Sequence, residues 1–543
     1  MKKKITIMFI FLFFSMIYVA PLFIRSGLVH YNNQDAYFHL ARIDGLATVW
    51  KSPINFISFH QIGSDVNQFY PWLLIYPAYI FKVITGSTIL GYKLYILLVT
   101  FFTMLIAYYS MKSIKNNGKT ALIFSLIYTF SSYHSTDLFY RGSLGEFLAM
   151  TFLPLVLAGA YQVYYGDEKR WKLLMIGMSL LVYSHVLSVF MVGILLFLFA
   201  IFSFYFWDKK ILRLLAIAKA ALGTGLLSLG FVIPMLQQNA WQEIYSPTTN
   251  LINGINLSEL LKNTMLNNIN GYSIGAVLFF GILITFYNYK KLTKVDLAIY
   301  ISGIILFLFV SNLFPWHFIS TTLLVRIQFA WRLSTFATLF LAYGLSVGLT
   351  PNKKIELPFF ISLIVLVVGL NTFSVYNIYK SPSVYNLAAE ASDERVILTD
   401  EISGIWKNQM FFDYVSVAAQ ENSSLVIPYA FVLNKEQIHP EVKNHGDYVT
   451  ISYDNQEGAG QLETPFLKYL GQQATLNGKK VATEISSFGT TGLAIVKGQN
   501  EITIQYHYTN VAIFSAFISF MTLIGFISWE IFLIYQRKKD DGR

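Results

Sequence analysis

Long apolar runs separated by short polar breaks make up most of this chain. A helix needs roughly 20 apolar residues to cross a hydrocarbon layer about 30 Å thick. Runs of this kind fall at 5–24, 91–111, 119–133, 145–165, 171–184, 187–207, 214–235, 271–289, 295–313, 331–350, 357–376 and 511–535. The stretch 70–84 is also apolar, but Pro71 and Pro77 interrupt it. It reads as a helix lying at, or dipping into, the outer interface. The pattern predicts a polytopic α-helical membrane protein of about 12 transmembrane helices. Between the last two runs the period changes. Ile502, Ile504, Tyr506 and Tyr508 alternate with Thr503, Gln505 and His507, and Asn477-Gly478 is a hairpin turn signal. Three parts follow: a transmembrane core, 1–376, with a long first outer loop, 25–90; an extracytoplasmic β-rich domain, 377–510; and a C-terminal helix with a basic cytoplasmic tail, 511–543.

Composition fixes the solvent. The chain is 55% hydrophobic and only 13% charged, whereas soluble domains carry about a quarter. The net charge of +10 does not point to nucleic acid, because the basic residues sit in short clusters between apolar runs. Lys112, Lys115 and Lys119; Lys169, Arg170 and Lys172; Lys209, Lys210 and Arg213; Lys290, Lys291 and Lys294; Lys353 and Lys354; and Arg537, Lys538 and Lys539 all fall in alternate loops. The positive-inside rule makes these loops and both termini cytoplasmic. Counting 70–84 as a full span would put half of the clusters outside. Lys2 to Lys4 before the first run resemble the start of a signal peptide, but no small-residue cleavage site follows, so the run reads as an uncleaved anchor. The chain has no cysteine, which excludes disulfides, thiolate catalysis and thiolate metal sites.

The remaining charges gather on the outer side, chiefly in Asn32-Asn33-Gln34-Asp35-Ala36-Tyr37-Phe38-His39-Leu40-Ala41-Arg42. On a helix, Asp35, His39 and Arg42 share one face, while Asp44 lies about 180° away. Asp65, His134, Asp137, Arg141, Glu146, His185, Glu243, His317, Arg326 and Arg332 complete the outer set. Such a rim suits a carboxylate base beside cations that hold a phosphate leaving group. Each residue also has a structural reading. Asp35 and His39 make an i, i+4 pair on an interfacial helix, and Asp137 and Arg141 repeat that spacing. Glu146 suits a helix N-terminus. His185 fits a packing role at a tight turn. Arg326, Gln328, Trp331 and Arg332 fit an interfacial anchor. The histidines are scattered without metal-ligand spacing.

Several stretches resemble a known group. They are Asp35-x-x-Phe38-His39-x-x-Arg42-Ile43, Tyr140-Arg141-Gly142-Ser143-Leu144-Gly145-Glu146-Phe147, Ser184-His185, and Ile327-Gln328-Phe329-Ala330-Trp331-Arg332. In order and type they resemble the bacterial YfhO-like membrane proteins and those labelled with a "6-pyruvoyl-tetrahydropterin synthase related" domain. Nothing in these residues supports pterin chemistry. The group is similar to the GT-C glycosyltransferases, which take a sugar from a polyprenyl-phosphate donor at the outer leaflet. The resemblance implies a GT-C-like core, Asp35 as catalytic base, and 70–84 as a second interfacial helix. It implies a cell-wall glycopolymer such as lipoteichoic acid as acceptor. His39, Arg42, Asp65, Arg141, Glu146, His185, Arg326, Gln328, Trp331 and Arg332 are the expected substrate-binding residues. Gln34, not a second acid, precedes Asp35, so the participation of a divalent metal is left open. Two other classes stand beside this one: a transporter or flippase of a lipid-linked saccharide, and a non-enzymatic scaffold for wall assembly.

Overall fold

The computed structural model of the chain describes residues 2–31, 35–245, 253–319, 321–349, 356–379, 395–411 and 413–541. Asn32 to Gln34, Lys353 and Lys354, and the stretch 380–394 of the expected outer domain lie outside the described residues.

Each apolar run folds as a helix. These are α1 (Lys2–Val19), then, after α2 (Ala36–Gly45) and α3 (Tyr76–Thr85), α4 (Thr88–Lys115), α5 (Gly118–Thr129), α6 (Leu144–Tyr164), α7 (Lys172–Val182), α8 (Val186–Phe204), α9 (Lys210–Trp241), α10 (Ala276–Tyr287), α11 (Lys294–Phe309), α12 (Ser334–Gly348) and α13 (Glu356–Tyr379). After a short helix α14 (Gly404–Asn408), the chain ends in α15 (Asn510–Asp541). Seven of these helices are long and apolar enough to cross a membrane: α1, α4, α6, α8, α9, α13 and α15. The helices α5, α7, α10, α11 and α12 run 12, 11, 12, 16 and 15 residues, short of the roughly 20 that a full crossing takes. Helix α3 has 10 residues.

The chain divides into two compact units. The first comprises Met1–His39, Ile80–Ala221 and Thr248–Ile402, and is mainly helical. Its helices approach closely where side chains are small: a Cβ on Gly159 of α6 would lie 2.3 Å from the Leu174 backbone of α7. A two-stranded ribbon joins β1 (Leu28–Tyr31) to β2 (Arg395–Leu398), antiparallel. Lys115, at the end of α4, grips both carboxylate oxygens of Asp296 at 2.5 Å. Tyr343 of α12 donates to the same carboxylate at 2.6 Å. Asp296 in turn closes a capping box with Thr293 at the start of α11.

The second unit comprises Leu40–Tyr79, Leu222–Pro247 and Ser403–Arg543. It holds β3 (Phe431–Leu433), β4 (Glu436–Ile438), β5 (Glu441–Asn444), β6 (Tyr448–Asn455), β7 (Gly460–Leu467), β8 (Gln472–Leu476), β9 (Lys479–Val481), β10 (Glu484–Ile485), β11 (Thr490–Ile495) and β12 (Gly498–Tyr506). Two five-stranded sheets result, ordered β10-β11-β7-β3-β4 and β5-β6-β12-β8-β9. The turn expected at Asn477-Gly478 joins β8 to β9, with both residues at positive φ. Ile502, Ile504 and Tyr506 of β12 point into the core, as their alternation requires. Ile54, Phe56 and Ile62 enter the same core from the segment between α2 and α3, and Phe56 meets Phe466 edge to face at 5.6 Å. The sheets therefore bury part of their apolar surface on residues from the far end of the chain, and the compact unit takes in Leu40–Tyr79 and Leu222–Pro247 beside Ser403–Arg543. Within this unit the last helix packs on the end of α9, where the Gly230 amide donates to Ser519 at 2.9 Å.

Candidate active site

The site is built in the first unit, around a turn. Ser132–Ser135 form one helical turn, and Thr136–Arg141 continue as a wider π-type turn. Such turns are frequent at functional sites. Gly142 ends it at φ 64°, and a Cβ there would lie 2.8 Å from that of Ala36. Only glycine meets both conditions. The turn delivers Arg141 twice to the same place. Its carbonyl accepts from the Asp35 amide at 2.8 Å, and its Nη2 lies 3.5 Å from Asp35 Oδ2. Asp35 in turn starts α2, where its carbonyl accepts from the His39 amide at 3.1 Å.

Behind Asp35 the charges are buried. Arg141 Nη1 donates to Asp137 at 2.6 Å and to Glu146 at 2.7 Å. Glu146 lies in the first turn of α6 and also accepts from Tyr133 at 2.8 Å and Thr335 at 2.9 Å. Tyr133 and Thr335 share Glu146 Oε1, whereas Arg332 stands 3.7 Å from Oε2, the oxygen that also takes Arg141, and donates to the Ile327 carbonyl at 3.1 Å and to Gln328. His185 is close enough to act on Glu146 electrostatically and shares a hydrogen bond with Ser188 at 2.9 Å. Trp331 covers the Arg141 guanidinium at 4.2 Å and stacks on Tyr272 at 4.7 Å and on Phe329 at 4.8 Å.

The electrostatics follow from this crowding. Burial, and then the neighbouring Glu146, push Asp137 well above the usual carboxylate range, against the pull of Arg141. One Asp137 oxygen, Oδ2, is buried without a hydrogen bond. Burial alone would pull Arg141 down, but Glu146, Asp137 and Asp35 outweigh it and hold the guanidinium charged. The side chain of Asp35 is 48% exposed, whereas those of Asp137 and Glu146 are fully buried. Three carboxylates thus converge on one guanidinium, and a single one faces outward. The guanidinium fills the position between them that a divalent ion would need, so the arrangement does not fit a metal centre. Among the described residues no group of three or more His, Asp or Glu is placed to hold one.

The remaining expected residues fall elsewhere. His39 is buried in α2. Arg42 stacks on Tyr70 at 4.1 Å and donates to the carbonyls of Tyr70 and Pro71 at 3.0 and 2.7 Å, so it locks the first outer loop. Asp44 is buried too and accepts from Trp406 at 2.9 Å. Asp65 belongs to the second unit, fully buried, with neither carboxylate oxygen hydrogen-bonded. Burial raises its pKa well above the carboxylate range, and the Gln68 amide opposes this only in part. Arg326 is exposed and makes no ion pair among the described residues. Tyr133, Thr335 and Tyr272 were not legible as site residues. Nothing in their spacing distinguishes them from ordinary packing residues.

A family model matches residues 68–378, more than half of the chain; its description is "6-pyruvoyl-tetrahydropterin synthase related domain; membrane protein". The chain belongs to this family. The match covers Arg141, Glu146, His185 and Arg332 and stops short of Asp35. No curated protein matches the sequence. Among solved structures, the chain is similar to the arabinofuranosyltransferase AftD from Mycobacteria, at 12% identity and TM-score 0.45, over 69% of this chain and 27% of that one. It is also similar to the oligosaccharyltransferase of Archaeoglobus fulgidus, at 10% identity and TM-score 0.41, over 74% and 60%. A complex of that archaeal enzyme, AglB, with an inhibitory peptide and a dolichol-phosphate matches at 11% identity and TM-score 0.39, with the same coverage. The chain therefore spans between about a quarter and three-fifths of the length of these structures.

Proposed function

We propose that this family member is a membrane glycosyltransferase that moves a sugar from a polyprenyl-phosphate donor to an extracytoplasmic cell-wall glycopolymer, of the lipoteichoic acid type. One observation carries the reading: Asp35 is the half-exposed carboxylate of an otherwise buried network of Arg141, Asp137, Glu146 and Arg332. Asp35 takes the proton of an acceptor hydroxyl as general base. The acceptor oxygen attacks the anomeric carbon, the bond from that carbon to the phosphate oxygen breaks, and the phosphate leaves with the electron pair. The buried charges hold Asp35 and its partner Arg141 in fixed register, so little reorganisation is needed as charge moves. Arg141 is already shared by three carboxylates, so the leaving phosphate draws on Arg332 and on Arg326, which makes no ion pair among the described residues. In this reading both termini are cytoplasmic, and Asp35 and the β-rich unit face outward.

The test is transfer of labelled sugar from the lipid carrier in membranes holding the Asp35→Asn protein. The expected result is loss of transfer with normal amounts of folded protein. Full transfer would remove Asp35 from the chemistry. Flipping of the intact lipid-linked saccharide in vesicles without any transfer would replace the enzyme reading with a transport one.

A further inference from the structure

The turn Phe59–Gln61, in the second unit, is strained, and a histidine holds it. Phe59, His60 and Gln61 take φ values of 55°, 61° and 59° in succession. A non-glycine residue pays about 1–2 kcal/mol for this region and normally visits it singly. The side chains of the turn supply the offset. His60 Nδ1 lies 2.9 Å from the Asn408 carbonyl oxygen, and Nε2 lies 2.7 Å from the Ile427 carbonyl oxygen. Gln61 donates to Asn408 Oδ1 at 3.4 Å and accepts from Asn444 at 3.0 Å.

Both atoms facing the imidazole are carbonyl oxygens, which only accept. A neutral imidazole has one N–H and one bare nitrogen, so it can satisfy one of them and turns a lone pair on the other. The imidazolium donates to both. We infer that His60 is a proton-operated latch: charged, it clamps the strained turn to two separate segments, Asn408 at the end of α14 and Ile427; neutral, it releases one of them. Histidine is the side chain suited to this between about pH 5 and 8.

The surroundings leave that charge to the carbonyls. From α14, the Lys407 ammonium lies 3.7 Å from Asp44. From the segment after Ile427, Tyr429 sets its ring edge-on at 6.3 Å. On β5, Lys443 and Glu441 pair with each other at 3.2 Å. In the loop that follows, His445 stacks on Tyr448, and Asp447 pairs with Lys51 at 3.5 Å. Among the described residues no carboxylate makes an ion pair with His60.

Releasing the latch affects what the turn supports. Ser58, just before it, donates to the Ala41 carbonyl of α2 at 2.8 Å. External acidity thus tightens the first outer loop, and alkalinity loosens it.

The experiment is hydrogen exchange of the full-length protein in lipid nanodiscs, read on peptides covering 56–62 and 404–411. After correction for intrinsic rates, exchange should be about tenfold faster at pH 8 than at pH 5.5, the loss of roughly one hydrogen bond. In His60→Gln the two pH values should agree, because its amide titrates at neither. Ring-nitrogen chemical shifts of isotopically labelled histidine should show two N–H nitrogens at pH 5.5 and one bare nitrogen at pH 8. Equal exchange at both pH values in the unaltered protein, or an undiminished pH difference in His60→Gln, overturns the latch.

Discussion

Two buried ion-pair clusters stand in the first unit, and they are built differently. Around Asp296 everything closes: both oxygens meet one lysine, a tyrosine donates to the carboxylate, and the helix cap uses what is left. Around Arg141 the cluster is overfilled with acid: three carboxylates share that guanidinium, a second cation, Arg332, reaches Glu146 alone, Asp137 keeps an unbonded oxygen, and Asp35 reaches the surface. A closed pair holds helices together and has nothing left to react. An overfilled one leaves a carboxylate at the rim with its charge environment already fixed. The contrast separates packing from chemistry better than burial does, because both clusters are buried.

The sharpest way to break this comparison is to neutralise one acid in each. Asp35→Asn should lower sugar transfer by about 10²–10⁴-fold and leave thermal unfolding within about 0.5 kcal/mol of the parent. Asp296→Asn should do the reverse. Transfer assays and denaturation of the same preparations distinguish the two, and equal loss of transfer in both would erase the difference. Next in size is removal of a buried partner. Glu146→Leu and Asp296→Leu each strand a buried cation and should each cost about 3–5 kcal/mol in unfolding measurements.

Asp65 serves as a third case, a buried carboxyl that pairs with no cation among the described residues. Its folded pKa is raised, so its contribution to stability is whole below the unfolded value near 3.9 and is lost as pH climbs toward the folded value. Over that window the unfolding free energy should fall by up to about 1.4 kcal/mol per pH unit, and the melting temperature should fall with it. Asp65→Asn should flatten the fall and be the more stable protein at neutral pH. The smallest effect is expected at Trp331. Trp331→Leu removes the ring from Arg141, worth about 0.5–2 kcal/mol. It should lower the turnover rate more than it raises KM, and Trp331→Phe should restore most of the rate.

Much of this could be read along the chain. The i, i+4 pairing of Asp137 with Arg141 and the placement of Glu146 in a helix's first turn are local facts, and local spacing expresses them. The strand alternation of β12 and the turn at Asn477-Gly478 are local for the same reason. What escaped was set by distant partners. Asp44, on the far side of α2 from Asp35, meets a tryptophan 362 positions later. Arg42 spends its donors on backbone carbonyls, which carry no side-chain signature. Thr335 reaches Glu146 across 189 positions. Phe56 and Ile62 looked like loop residues because their sheets lie at the other end of the chain. The bounds of the second unit were hidden for that reason as well.

The turn that ends at Gly142 carries a last consequence, for how such a chain can vary over time. Arg141 holds Asp35 by its backbone and faces it with its side chain, so the spacing between the acid and its cation is inherited as a single piece. A residue gained or lost between Asp137 and Gly142 would rotate the guanidinium off all three carboxylates at once. Substitution can drift at Leu138, Phe139 and Tyr140 between them, but the length of the stretch cannot. Natural insertions should therefore accumulate in other loops and leave these six residues ungapped.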